Sequence, residues 1–177
     1  MEILIGTSGW TFKDWIGAFY PADAQSQALL GLYCQHFRTV EVDSTFYGTP
    51  RESAVEAWRR KTPEGFVFSL KVPREITHDA LLKDQGPQMV HTHRAKRTLL
   101  TADFHYVRWL GNRAAPMPDF SREHRSRDED HARWIALFRD LPPDLRRVYG
   151  YFNNHYTGHS PAAAKAFLKR LAQPPLP

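Results

Sequence analysis

Residues 39–47 read Thr-Val-Glu-Val-Asp-Ser-Thr-Phe-Tyr, and they hold the clearest indication of the fold. Val40 and Val42 alternate with Glu41 and Asp43, which is the two-residue period of a β-strand. Four further stretches are predicted to be strands, at 3–6, 66–72, 104–110 and 147–152. Stretches with helical spacing of apolar residues separate most of them. Strands that alternate with helices pair in parallel through right-handed crossovers, so the sequence predicts an α/β fold.

One face of this predicted sheet is polar, although both faces of a parallel sheet are normally apolar. From the second strand to the fifth, its members are Glu41, Asp43, Ser69, Lys71, Tyr106, Arg108, Tyr149, Tyr151 and Asn153. In a parallel barrel such side chains fill the interior and converge at the C-terminal mouth, where active sites lie. We therefore expect a TIM-barrel-like sheet with surrounding helices. About five of its eight β/α units are visible.

The stretch Thr49-Pro50-Arg51-Glu52 has the pattern of a capping box, with Pro50 at the first helical position. A helix is therefore predicted to start there. We expect the helix to bury three apolar side chains, which are Ala54, Val55 and Trp58.

The composition excludes several classes of protein. With 177 residues, 42% of them apolar and 24% charged, the chain has ordinary globular composition, and a single domain over 1–177 is expected. No run approaches the ~18 apolar residues of a membrane span, and no secretory leader is visible. A single Cys34 cannot form an internal disulfide, which favours a cytoplasmic protein.

The candidate catalytic residues are Glu41, Lys71, His78 and Arg108. Lys71 and Arg108 can clamp an anion, because arginine presents a bidentate fork to phosphate or carboxylate. Glu41 and His78 can move protons. An alternative remains open: the carboxylates and cations balance each other as ion pairs, and His78 merely ends a loop or helix.

Cofactors are weakly indicated. Glu41, Asp43 and His78 are candidate ligands of a divalent metal, but the closest histidine pairs lack a cysteine partner or the HExxH arrangement. Neither a P-loop nor a GxGxxG motif is present, so no nucleotide cofactor is expected.

The positive charge is concentrated in the second half of the chain. Residues 91–177 carry a net charge of +7, which favours a small anionic substrate or a nucleic acid as partner. A solvated basic surface explains the same excess. A nucleic-acid-binding module would use Arg94, Lys96, Arg97, Arg122, Arg125 and Arg127.

Six stretches resemble the DUF72 (YecE-like) family in the same order, at 5–10, 39–47, 66–74, 76–78, 106–111 and 151–161. The family is similar to TIM barrels, and the resemblance leaves its biochemical role unassigned. It carries over Glu41, Lys71, Arg74, His78, Tyr106, Arg108, Asn153, Asn154 and His159 as site residues. Asn153 and Asn154 would orient substrate. Trp10, Asp43 and Tyr47 lie in the same motifs and complete the predicted substrate-binding set.

Relative to the family pattern, a segment is missing around 84–99, where strands four to six with their helices would lie. Three explanations stand. The chain is an internally deleted open half-barrel, it pairs with another copy as a homo-oligomer, or the sequence lacks residues that the molecule contains.

These observations predict an enzyme of the hydrolase, lyase or isomerase type. Its substrate would be phosphate-bearing or sugar-like, or a nucleic acid. The alternatives are a non-catalytic binding module for nucleic acid or anions, and an inactive truncated paralogue.

Overall fold

A computed structural model describes residues 1–74, 102–112 and 114–174, which form parallel strands surrounded by helices. The strands are β1 (Glu2–Thr7), β2 (Thr39–Val42), β3 (Val67–Leu70), β4 (Phe104–Trp109) and β5 (Arg147–Phe152). The helices are α1 (Leu29–Cys34), α2 (Glu52–Lys61), α3 (Asp128–Arg139), α4 (Asn154–Thr157) and α5 (Ser160–Leu171).

The strands lie in the order expected for part of a TIM barrel. β5 pairs in parallel with both β1 and β4, and β2 pairs in parallel with β3. The two sheets meet where the backbone N–H of Gly9 donates to the carbonyl of Glu41 at 2.8 Å. The last strand thus lies beside the first, and the predicted α/β fold is confirmed. The described ranges contain no closed barrel.

A close approach of β1 to β2 fixes where the sheets meet. A Cβ on Gly6 would lie 2.2 Å from the carbonyl oxygen of Thr39, so the approach requires glycine. The buried Tyr33 hydroxyl accepts the N–H of Thr7 and donates to the same carbonyl, each at 3.0 Å. This contact aligns Ser8, just beyond β1, with Glu41 on β2.

The apolar core lies between the outer face of the sheet and the helices. Trp109 stacks on Phe152 with ring centroids 4.1 Å apart, and Phe138 of α3 and Phe167 of α5 pack against this pair. Alternate residues of β4, such as Tyr106 and Arg108, are less buried and belong to the opposite, polar face. The fold therefore leaves that face for the candidate site.

The helix predicted from Thr49 starts later and is less buried. α2 begins at Glu52, its N-cap is Arg51 in extended conformation, and no side chain caps it. No residue of α2 is buried, and Val55 is 45% exposed. The predicted capping box is therefore wrong, because the backbone is extended at Arg51. The predicted burial is wrong for Val55, whereas Ala54 and Trp58 are partly buried and Trp58 packs against the core.

The alternation in the sequence places Asp43 on the second strand, but the observed strand is shorter. It ends at Val42, and Asp43 opens a 3₁₀ turn over Asp43–Phe46. The predicted missing segment at 84–99 lies outside the described residues. Within 1–74, 102–112 and 114–174, no helix is long and apolar enough to cross a membrane.

Candidate active site

A buried carboxylate forms the centre of the site. Glu41 is 2% exposed and accepts hydrogen bonds from the hydroxyls of Ser8 and Tyr106 and from the guanidinium of Arg108. The Ser8 bond is 2.7 Å long. Arg108 Nε lies 2.8 Å from Glu41 Oε1 and 3.0 Å from Oε2. Side chains from β4 and from the position just after β1 therefore converge on Glu41 of β2.

A second carboxylate lies between two cations at the solvent-facing edge of the site. Asp43 Oδ1 is 3.2 Å from Arg108 Nη2 and 3.8 Å from Lys71 Nζ. The Lys71 ammonium also lies 4.1 Å from the centroid of the Phe46 ring. About a third of each of the Lys71 and Asp43 side chains is exposed, whereas Arg108 is 14% exposed. Solvent therefore reaches one side of this charged cluster.

Two tyrosines extend the polar network into the sheet. The Tyr151 hydroxyl lies 2.7 Å from Thr39 Oγ1 and 2.5 Å from Ser69 Oγ, and its ring is 5.4 Å from that of Tyr106. Burial raises the pKa of Tyr151 to about 12. Burial and the charge of Glu41 raise the pKa of Tyr106 far above its usual range. Both phenols therefore remain protonated near neutral pH, and Tyr106 remains a donor to Glu41.

The charged cluster is consistent with both interpretations of the sequence, which are an anion-binding catalytic site and a set of ion pairs that balance charge. Its carboxylates and cations are paired with each other, as charge balance requires, and the cations also reach the carboxyl ends of parallel strands, where ligands bind in such folds. The predicted catalytic roles remain predictions. His78, the fourth predicted catalytic residue, lies outside the described residues.

A metal site is not formed by the side chains that the structure describes. Among residues 1–74, 102–112 and 114–174, no three His, Cys, Asp or Glu side chains group as they would around a metal ion. The oxygens of Glu41 already accept bonds from Ser8, Tyr106 and Arg108. The third predicted ligand, His78, again falls outside these ranges.

Three predicted substrate-binding residues organise the corner between β5 and α5. Asn153 Oδ1 accepts the N–H of His155 at 3.0 Å and caps α4. Asn154 Oδ1 accepts the N–H and hydroxyl of Ser160 at 3.1 and 2.7 Å. His159 Nδ1 lies 2.7 Å from the carbonyl oxygen of Phe120, and burial lowers its pKa. These contacts hold the corner, and none of them involves Glu41 or Asp43.

The other predicted substrate-binding residues are placed differently. Trp10 packs edge-on against Trp58 and Phe68, with ring centroids 5.8 and 6.4 Å apart. Tyr47 is 84% exposed beyond the 3₁₀ turn that follows Asp43. Arg74 lies four residues beyond Leu70, the last residue of β3, and is exposed.

Two arginines of the predicted nucleic-acid surface are engaged within the protein. Arg125 Nη2 donates to the carbonyl of Ala115 at 2.9 Å. Arg127 Nε donates to the carbonyl of Tyr156 at 3.2 Å, and its guanidinium lies 5.1 Å from that ring. Arg94, Lys96 and Arg97 fall outside the described residues.

Sequence reasoning missed two contributors to the network. The sequence assigns no role to Ser8, and it places Tyr151 on the polar face without a role. Two features of the sequence point to these residues. Ser8 directly follows the first strand, and Tyr151 lies on the same face of the predicted fifth strand as the other polar residues.

The chain matches the family described as "Protein of unknown function DUF72" over residues 4–99 and 87–177. It belongs to the DUF72 family. The resemblance seen in the sequence is thereby confirmed, and the two matched segments meet near the predicted missing segment. The function of this family is unassigned.

Two curated relatives of this DUF72 protein match over shorter regions. The UPF0759 protein YunF of Bacillus subtilis (strain 168) is 39% identical over 75 residues, which cover 42% of this chain and 26% of that protein. The UPF0759 protein YecE of Escherichia coli (strain K12) is 32% identical over 81 residues, which cover 46% of this chain and 27% of that protein. The match thus spans about a quarter of each relative.

Solved structures of DUF72 proteins share the fold. A DUF72 family protein of Thermotoga maritima superposes with a TM-score of 0.72 at 19% identity, covering 98% of this chain and 100% of the other. A DUF72 family protein of Enterococcus faecalis V583 gives 0.62 at 13% identity, covering 98% of both. At this identity the likeness supports the fold alone.

Proposed function

We propose that this DUF72 protein is an enzyme that binds a phosphate-bearing or sugar-like substrate, nucleic acid included, at the carboxyl ends of β2, β3 and β4. One observation carries the proposal: Asp43 Oδ1 lies 3.2 Å from Arg108 Nη2 and 3.8 Å from Lys71 Nζ. Two cations from separate strands thus already converge on one anionic oxygen. A substrate oxyanion would make the same contacts.

Glu41 gives the site a group that can take part in proton transfer. Its carboxylate orients Arg108 through Nε, while the Ser8 and Tyr106 hydroxyls hold both of its oxygens. In the proposed reaction Arg108 and Lys71 bind the anion, and Glu41 exchanges a proton with the substrate through the Ser8 or Tyr106 hydroxyl, from which its oxygens accept hydrogen bonds. His78, which the sequence places after the third strand, would be the second proton-transfer group. This assignment suits hydrolysis, elimination or isomerisation.

Folding alone does not account for these charges. A buried ion pair is often no more stable than an apolar pair of similar volume, because both charges lose their hydration. The cluster nevertheless places two carboxylates and two cations beside Ser8 and Tyr106. A polar arrangement that folding does not require supports a role in binding or catalysis.

Isothermal titration with inorganic phosphate and with sugar phosphates tests the binding step. Lys71→Met and Arg108→Met should each weaken binding by about tenfold or more, since a charge-assisted hydrogen bond contributes about 1.5–3 kcal/mol. Arg60→Met is the matched control, because Arg60 is 69% exposed on α2 and, among the residues that the structure describes, pairs with Glu56 far from the two site cations. Unchanged binding in both site variants would contradict the proposal.

Glu41→Gln separates catalysis from binding. The enzyme hypothesis predicts that this variant still binds phosphate but loses turnover of any sugar phosphate or nucleic acid that the wild type converts. Turnover that persists in folded Glu41→Gln would remove Glu41 from the mechanism. Binding without turnover in the wild type would favour the non-catalytic module.

A further inference from the structure

We propose that the Asp43 carboxylate occupies the anion site of the free protein and is displaced when a phosphate group binds. This inference rests on the proposed function, because it concerns the same two cations. Asp43 Oδ1 lies 3.2 Å from Arg108 Nη2 and 3.8 Å from Lys71 Nζ, in the place that a phosphate oxygen would take. Asp43 is then an internal competitor that selects among anions.

Asp43 is held loosely enough to leave. Its side chain is 38% exposed, and its Oδ1 accepts a hydrogen bond from Arg108 Nη2 at 3.2 Å, which is longer than the 2.7 Å bond from Ser8 to Glu41. Glu41 differs in both respects, since it is 2% exposed and is held by Ser8, Tyr106 and Arg108. An incoming anion would therefore displace Asp43 rather than Glu41.

The two cations keep their positions when Asp43 leaves. Arg108 remains bound through Nε to Glu41, so its Nη2 continues to point to the vacated place. The Lys71 ammonium remains over the Phe46 ring at 4.1 Å. The site is therefore preorganised for an anion without Asp43, which lowers the cost of binding.

The charges in the cluster indicate which class of ligand can displace Asp43. With Asp43 in place, Glu41, Asp43, Lys71 and Arg108 carry two negative and two positive charges. A monocarboxylate only replaces one carboxylate by another and gains little. A phosphate dianion brings a second charge and a third oxygen, and so it outcompetes Asp43. The device thus favours phosphate-bearing over carboxylate-bearing substrates.

Titration of the whole protein with inorganic phosphate and with acetate tests this inference. Asp43→Asn should bind phosphate at least about tenfold more tightly than the wild type, and it should gain measurable affinity for acetate. Asp103→Asn is the control with the same change in net charge. Asp103 lies at the opposite end of β4, where its Oδ2 is 3.5 Å from Arg146 Nε. The phosphate affinity of Asp103→Asn should therefore stay within about twofold of the wild-type value.

Two more variants keep the outcome decisive. Asp43→Ser removes the charge with a smaller side chain and replaces Asp43→Asn if circular dichroism shows that the latter is unfolded. Asp43→Glu keeps the charge and should bind phosphate no more tightly than the wild type. Tightening in Asp43→Glu equal to that in Asp43→Asn would overturn the inference, because lost geometry and not lost charge would then be the cause.

The failure of this inference differs from the failure of the proposed function. Phosphate binding that is equal in wild type and Asp43→Asn, or weaker in the variant, overturns displacement and leaves the anion site intact. Absence of phosphate binding in wild type and in both neutral variants overturns both.

Discussion

Replacing Arg108 by methionine tests whether its ion pair stabilises the buried charge of Glu41. Arg108 Nε lies 2.8 and 3.0 Å from the two oxygens of Glu41, which is 2% exposed. Methionine retains much of the apolar stem but carries no charge. In the variant, the donors that Glu41 keeps within the described part of the chain are the hydroxyls of Ser8 and Tyr106.

The expected loss follows from the burial of Glu41. Removing one partner of a buried ion pair costs about 3–5 kcal/mol, because the remaining charge is left without its counterion. The two remaining hydroxyl donors offset part of this, so Arg108→Met should lower the free energy of unfolding by about 2–4 kcal/mol. For a chain of this length, that corresponds to a fall in Tm of about 4–16 °C.

Urea denaturation followed by tryptophan fluorescence measures the loss. The Glu41→Gln/Arg108→Met double variant should lose at least about 1 kcal/mol less than the sum of the two single variants, because the single variants remove one shared interaction. A loss below about 0.5 kcal/mol in Arg108→Met would refute the reasoning, because that is the effect of an ordinary surface substitution.

Three further predictions concern the scaffold of the site. Gly6→Ala should cost about 1–3 kcal/mol by urea denaturation, because its Cβ would lie 2.2 Å from the Thr39 carbonyl oxygen; a neutral effect would contradict the close approach. Tyr151→Phe should cost about 1–3 kcal/mol, because it removes the hydroxyl bonded to Thr39 and Ser69, and unchanged stability would argue against that network. Burial lowers the pKa of His131 below 6.5, so only the unfolded state gains a proton as pH falls below about 6.5. Stability should therefore decline below that pH, by at most about 1.4 kcal/mol per pH unit from this group. His131→Phe should flatten the decline, and an equal slope would exclude His131 as its source.

The strands and the polar face were predictable because apolar and polar residues alternate along each strand with a period of two. The predicted fifth strand matches β5 at Arg147–Phe152, and Glu41 faces the same side as Arg108, as parity requires. Helix boundaries were less accessible. The Thr49–Glu52 pattern satisfies a capping rule, yet the chain remains extended through Arg51, and that choice depends on packing that the local sequence does not encode.

The pairings within the site depend on contacts between distant strands. Ser8 meets Glu41 because Gly6 lets β1 approach β2 closely, a register that neither segment shows alone. The sequence also does not separate a capping amide from a substrate-binding one. Asn153 and Asn154 have the side chains for either task, and in the structure they bond to His155 and Ser160.

A crystal structure of the protein grown with tungstate, a heavy-atom analogue of phosphate, would show directly whether an anion takes the place of Asp43 between the two cations. We expect an anomalous peak within hydrogen-bonding distance of Arg108 Nη2 and Lys71 Nζ, with Asp43 turned toward solvent. A fully occupied tungstate elsewhere, with Asp43 still between the two cations, would contradict this expectation.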